Sequence, residues 1–171
     1  MSTKLSLADV NAMTPQAYGA AFGRVFEHSP WIAERAFAKR PFSSVTALHS
    51  AMVEVVRGAS HAEQLALLRS HPELAGKEAQ SQRLTAESTH EQQQAGLTAL
   101  SKDEMARISA LNQVHAAKFG FPFIIAARLN TKAVIFAELE RRAKLDPAAE
   151  FQACLDQVFL ITGLRINDLI D

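Results

Sequence analysis

The sequence predicts an all-α fold: a single-domain helical bundle over residues 1–171, built from roughly seven to nine helices of ordinary length. Three observations predict it. Helix-start signals recur along the chain, with Ser, Thr or Asp placed directly before Pro at Thr14-Pro15, Ser29-Pro30 and Asp146-Pro147. Apolar residues repeat at helical spacing in several long segments. Alternating strand patterns with hairpin turns are missing, and seven glycines leave few places for such turns.

Taken in order, Ser6 with Asp9 begins a first helix and Thr14-Pro15 a second, a side-chain oxygen in each case meeting an otherwise orphaned backbone N–H. Ser29-Pro30 predicts a third start. Val45, Leu48, Met52 and Val56 then form one buried stripe, and Ser60 with Glu63 opens the helix that leads to "LRSHPELAGK". That stretch is a break, because Pro72 inside a helix costs about 3 kcal/mol and Gly76 about 1 kcal/mol relative to alanine. The polar stretch Lys77 to Thr89 is expected to be non-helical. Ser101 with Glu104 starts a helix whose stripe is Met105, Ile108, Leu111, Val114, His115 and Phe119. Gly120 and Pro122 end it. From Asp146-Pro147 onward, Phe151, Leu155, Val158, Phe159, Thr162, Ile166, Leu169 and Ile170 trace a long amphipathic helix.

With 48% hydrophobic residues the chain can bury one core but hardly two. Eighteen basic residues balance eighteen acidic ones, so no net field gathers nucleic acid or an anionic membrane, and neither partner is expected. The N-terminus lacks the apolar run of a signal peptide, no window reaches the length of a membrane span, and "NDLID" carries no terminal address; a cytoplasmic location is the expectation. The single cysteine, Cys154, excludes an internal disulfide and reads as an inert core thiol. His28, His49, His61, His90 and His115 show no metal-ligand spacing, so no metal is expected.

The segment "KFGFPFIIAARLN" is too apolar to lie in water although it follows a helix break. A buried loop needs partners for its backbone, and a polar ring bound against it is one way to supply them, which makes it a candidate pocket wall.

Three stretches, "HPELAGK", "STHEQQQAGL" and "KFGFPFI", together with "GLRINDLI", "FEHSPWIAERAFAKRPF" and "SVTALHSAMVEVVR", resemble the 2-oxo-4-hydroxy-4-carboxy-5-ureidoimidazoline decarboxylases. The resemblance implies an all-helical, usually dimeric, cofactor-free enzyme of urate breakdown that releases (S)-allantoin. It assigns His71 as the catalytic histidine, Glu91 as its carboxylate partner and Arg165 as the substrate anchor. Ser88 and Gln92 become substrate contacts, Pro72 fixes the presentation of His71, and the backbone around Phe121, Phe123, Ile124 and Ile125 holds the ring. His115 departs from the family pattern, which favours an aromatic such as tyrosine there.

The chemistry suits these residue types. Loss of carbon dioxide leaves an electron pair that the adjoining ring C=N can accept, so the substrate carries its own sink and no cofactor is called for. The remaining work is proton transfer and positioning, which a histidine oriented by a carboxylate can perform near neutral pH. An arginine adds a planar fork of donors for an oxyanion.

Each assignment has a plain structural counterpart. Ser88-x-x-Glu91 fits a capping box, His71 fits a helix-end histidine, Arg165 fits a snorkelling arginine, and the aromatic loop fits a core plug or dimer contact. Lys39-Arg40 and Arg141-Arg142 read as solvated helix ends. Together these make the rival expectation a non-catalytic helical interaction or assembly module.

Overall fold

The computed structural model describes residues 4–171, so the first three residues of the expected domain lie outside it. Among the described residues there are ten α-helices, two short 3₁₀ turns at Phe37–Lys39 and Ala127–Leu129, and one isolated parallel bridge between Leu5 and Ile170. The helices are α1 (Leu7–Ala12), α2 (Pro15–Phe22), α3 (Trp31–Ala36), α4 (Val45–Gly58), α5 (His61–Ser70), α6 (Lys77–Gln80), α7 (Ala86–Gln94), α8 (Lys102–Phe119), α9 (Lys132–Arg142) and α10 (Pro147–Leu169). The all-α expectation holds; the count exceeds seven to nine because α1, α3 and α6 have only six, six and four residues, too few to show a period.

Most helix starts follow their local chemistry. Ser6 and Asp9 form a reciprocal capping box, as do Ser101 and Glu104, while Thr14 accepts from the Ala17 N–H with Pro15 at the first helical position. Ser60 and Glu63 exchange the same pair of bonds ahead of α5, and the Asp146 carboxylate accepts from Ala149 N–H ahead of α10. Each such cap contributes about 1 kcal/mol. Ser29 is an exception: α3 begins at Trp31, and the Ser29 hydroxyl donates to the Glu27 carbonyl at 2.9 Å instead of capping.

The chain divides into two compact units, Met1–Ser70 with Phe159–Asp171, and His71–Val158. The first has a core of Tyr18, Phe22, Phe26, Leu48, Met52, Val56 and Ile166, with the Tyr18 ring 4.9 Å from that of Phe22. Leu5 pairs with the chain end here, donating to the Leu169 carbonyl and accepting from the Asp171 N–H. The second has a core of Leu74, Leu97, Ile108, Phe123, Ile125, Ile135, Phe136 and Leu139.

Three patterning expectations change. Lys77 to Thr89 contains α6 and the start of α7, because the Gly76 turn and the Thr85 hydroxyl each begin a helix inside a stretch that is polar on all sides. Val114 and Leu169 are 58% and 36% exposed, so they flank their stripes and lie outside the cores. The buried face of α8 is Ile108, Asn112 and His115, two of the three polar.

Gly120 closes α8 with φ +76°, a left-handed conformation, and its N–H donates to the Ala116 carbonyl at 2.9 Å. A side chain there is strained. Gly120→Ala should lower stability by about 1–2 kcal/mol, read as a shift in urea midpoint at constant slope; an unmoved midpoint would contradict this cap.

Candidate functional site

His71 follows the last residue of α5, and Pro72, lacking an N–H, prevents the helix from continuing. The chain then turns tightly. Gly76 donates its N–H to the Glu73 carbonyl, and a Cβ at Gly76 would sit 2.7 Å from the Cβ of Glu73, so only glycine fits. Two buried side chains of the same unit hold this turn: the Gln92 carboxamide oxygen accepts from the Ala75 N–H at 2.9 Å, and the Asn112 amide donates to the Leu74 carbonyl at 3.0 Å. His71 is therefore 8% exposed at a break whose backbone is pinned.

Helix α7 settles the competing reading of Ser88 and Glu91. Its N-cap is Thr85, whose hydroxyl accepts from the Ser88 N–H at 3.2 Å, so Ser88 lies in the first turn and Glu91 in the helix body. The cap position of α7 is therefore held by Thr85 and not by Ser88. Ser88, Glu91 and Gln92 share one face by their i, i+3, i+4 spacing, and all three are buried. Since Gln92 spends its carbonyl oxygen on Ala75, it acts at least in part as a tether for the His71 turn.

The Phe121–Ala126 segment is buried, as expected, and side chains of the protein serve much of its backbone. Phe121, Phe123, Ile124 and Ile125 point into cores, at 2–5% exposure, so only their backbone can face a ligand. The Ile124 carbonyl accepts from Arg142 Nη1 at 2.7 Å, the Phe121 carbonyl meets His115 Nδ1 at 3.2 Å, and Gln157 accepts from the Ala126 N–H at 3.0 Å.

Behind this segment lies a charged cluster that the sequence reading missed. Glu150 is fully buried and takes two bonds from Arg142, Nη2 at 2.6 Å and Nε at 3.0 Å, and one contact from His115 Nε2 at 2.9 Å. Burial alone would raise the Glu150 carboxyl, but the hydrogen bonds from His115 and Arg142 outweigh it and hold it below the ordinary carboxylate range. Arg142 is 2% exposed and stacks 4.4 Å from the Phe123 ring centre, which corrects its reading as a solvated helix end. Arg40 is corrected likewise: its Nη1 donates to the Asn11 and Met13 carbonyls. Lys39 and Arg141 make surface pairs with Glu54 and Glu138. Cys154, in the same cluster, is fully buried; burial, reinforced by the Glu150 carboxylate, pushes its thiol up to about 12, as suits an inert core sulfur.

Arg165 lies in the first unit at 5% exposure. Its Nη1 donates to the Glu27 carboxylate at 2.9 Å and to the Val25 carbonyl at 3.2 Å, so it is ion-paired in the interior and does not snorkel. A separate cavity of about 580 Å³ in the second unit is lined by Ala75, Gln80, Thr89, Gln93, Leu97 and Met105 among others, and by none of the expected site residues. Thr89 and Gln93 lie on a different face of α7 from Ser88, Glu91 and Gln92. Among the described residues no cluster of three or more His, Cys, Asp or Glu is placed to hold a metal ion, and no helix is long and apolar enough to cross a membrane.

Within the second unit, a buried imidazole at a pinned break and a buried carboxylate and hydroxyl on one helix face are groups that suit acid–base chemistry. Residues 11–167 match the family model described as OHCU decarboxylase, and the chain belongs to that family. It is 40% identical over 165 residues to the 2-oxo-4-hydroxy-4-carboxy-5-ureidoimidazoline decarboxylase of Haloferax volcanii, covering 96% of each, and 38% identical over 166 residues to that of Mus musculus, covering 97% of this chain and 93% of the relative. Among solved structures it is similar to an (S)-allantoin synthase, with a TM-score of 0.77 and 27% identity over 98% of this chain; the chain spans 55% of that protein. An OHCU decarboxylase crystallised in the presence of (S)-allantoin shares the fold, with a TM-score of 0.68 at 20% identity over 85% of this chain and 94% of that one.

Glu150→Ala would leave the Arg142 guanidinium buried without its carboxylate. It should destabilise the chain by about 3–5 kcal/mol in urea unfolding, whereas Glu138→Ala, at the surface of α9, should have a far smaller effect. Equal losses in the two variants would mean that the interior pair is not formed.

Proposed function

We propose that this chain decarboxylates 2-oxo-4-hydroxy-4-carboxy-5-ureidoimidazoline to (S)-allantoin in urate degradation, with His71 as general acid/base, Glu91 as its partner and Arg165 as anchor. Membership of the family supports the reaction. The observation that carries the residue assignment is the pinned break: His71 stands at a helix end tied through Ala75 to Gln92, on the α7 face that also bears Ser88 and Glu91.

In the reaction the bond from the ring carbon to the carboxylate breaks and its electron pair moves toward the adjoining ring C=N, whose nitrogen takes a proton. The hydroxyl on the same carbon then loses its proton as the ring carbonyl forms, and the neighbouring carbon takes a proton on one face. His71 moves these protons, and Glu91 fixes its tautomer and supports its charged form. Arg165 offers donors to the substrate's oxygens, and Ser88 and the backbone of Phe121 to Ile125 orient the ring. Pro72 keeps the imidazole at a fixed exit from α5. The chain acts as one domain, a cytoplasmic homodimer working on a small molecule without nucleic-acid or membrane partners; the match over residues 11–167 spans both compact units and supports the single-domain reading.

When urate is oxidised and hydrolysed in a coupled assay, this protein should speed the appearance of one allantoin enantiomer, followed by circular dichroism. His71→Ala should reduce that rate by about a hundredfold or more while leaving the helical spectrum intact; racemic product at the blank rate from the unmodified protein would end the proposal. Sedimentation velocity at micromolar concentration should show a species of twice the chain mass, and a monomer alone would remove the dimer.

A further inference from the structure

Glu27 lies in the turn between α2 and α3, carries no helical or capping signal, and is 2% exposed. It touches two parts of the first unit that are far apart in sequence. Its carboxylate accepts from Arg165 Nη1 at 2.9 Å. Its carbonyl accepts from the hydroxyl of Ser29 at 2.9 Å and lies 2.7 Å from that of Ser70, whose single hydrogen it shares with the Leu67 carbonyl at 2.6 Å. Ser70 is the last residue of α5, and the next residue in the chain is His71.

We propose that Glu27 is a positioning residue for the decarboxylation, fixing the plane of the Arg165 guanidinium with its side chain and the end of α5 with its backbone. This rests on the reading of Arg165 as substrate anchor. The two hydroxyls fix where the Glu27 backbone sits, and the carboxylate passes that placement to Arg165. With the Val25 carbonyl as second acceptor, Nη1 donates to two oxygens of the protein, and because a guanidinium is rigidly planar these two bonds fix the direction of its plane. Because a carboxylate beside a guanidinium weakens its pull on an anion, Glu27 serves by orientation, at some expense of attraction.

A double-mutant cycle tests this in the coupled allantoin assay, with Glu27→Gln, Arg165→Gln and the double variant. Each is checked by thermal unfolding and far-ultraviolet circular dichroism. A residue that acts through Arg165 gives a non-additive cycle. Glu27→Gln should lower kcat/KM by about tenfold in the Arg165 enzyme and by less than about twofold in the Arg165→Gln background. The loss should fall mainly on kcat, since the charge of the anchor remains. If Glu27→Gln does not fold, Glu27→Asp, which keeps the charge but withdraws the carboxylate by one methylene, should show the same pattern. Equal losses in both backgrounds, or no loss in the Arg165 enzyme, would overturn the proposal. An Arg165→Gln variant with full activity would also end it, but through the anchor reading, which that single variant tests separately.

Discussion

The bond from the Ala75 N–H to the Gln92 carboxamide is the constraint on which the rest of the site depends. A chain that leaves a helix at a proline and turns back at a glycine exposes several backbone groups, and burying them without partners would cost more than a small domain can spare. Gln92 and Asn112 supply those partners from α7 and α8. The turn becomes a rigid part of the second unit, and His71 inherits a defined direction. The same bond commits α7 to one rotation, which decides that Ser88 and Glu91 share its buried face.

The interior charges follow a common pattern. Arg142 with Glu150 in one unit, and Arg165 with Glu27 in the other, are pairs that would each be costly if divided. Neither is needed for a compact helical fold, since apolar residues of similar size fill such space at least as well. Each guanidinium instead holds backbone carbonyls, Ile124 for Arg142 and Val25 for Arg165. Buried charge here fixes irregular backbone, which neither helix bonds nor apolar packing can do.

What could be read from the sequence was what local chemistry controls. Caps at Ser6, Thr14, Ser60, Ser101 and Asp146 depend on residues within one turn of each other, and they were legible for that reason. The buried aromatic loop was legible from composition. Ser88 and Glu91 were ambiguous because two overlapping signals compete, and Thr85 wins by standing one turn earlier. Arg142 was misread beside Arg141, although its spacing from Ile135 and Leu139 puts it on the buried face of α9. Glu150 had the same hidden signal, four residues before Cys154. Glu27 had none: it sits in an irregular turn, and its partner is 138 residues away.

Cys154 has a practical corollary. It is the chain's one sulfhydryl, it lies out of reach of solvent, and its proton is held far above neutral pH. A cysteine introduced on an outward helix face would then be the sole accessible thiol of the folded protein. A dye or spin label could be attached at one chosen spot with the native sulfur left in place.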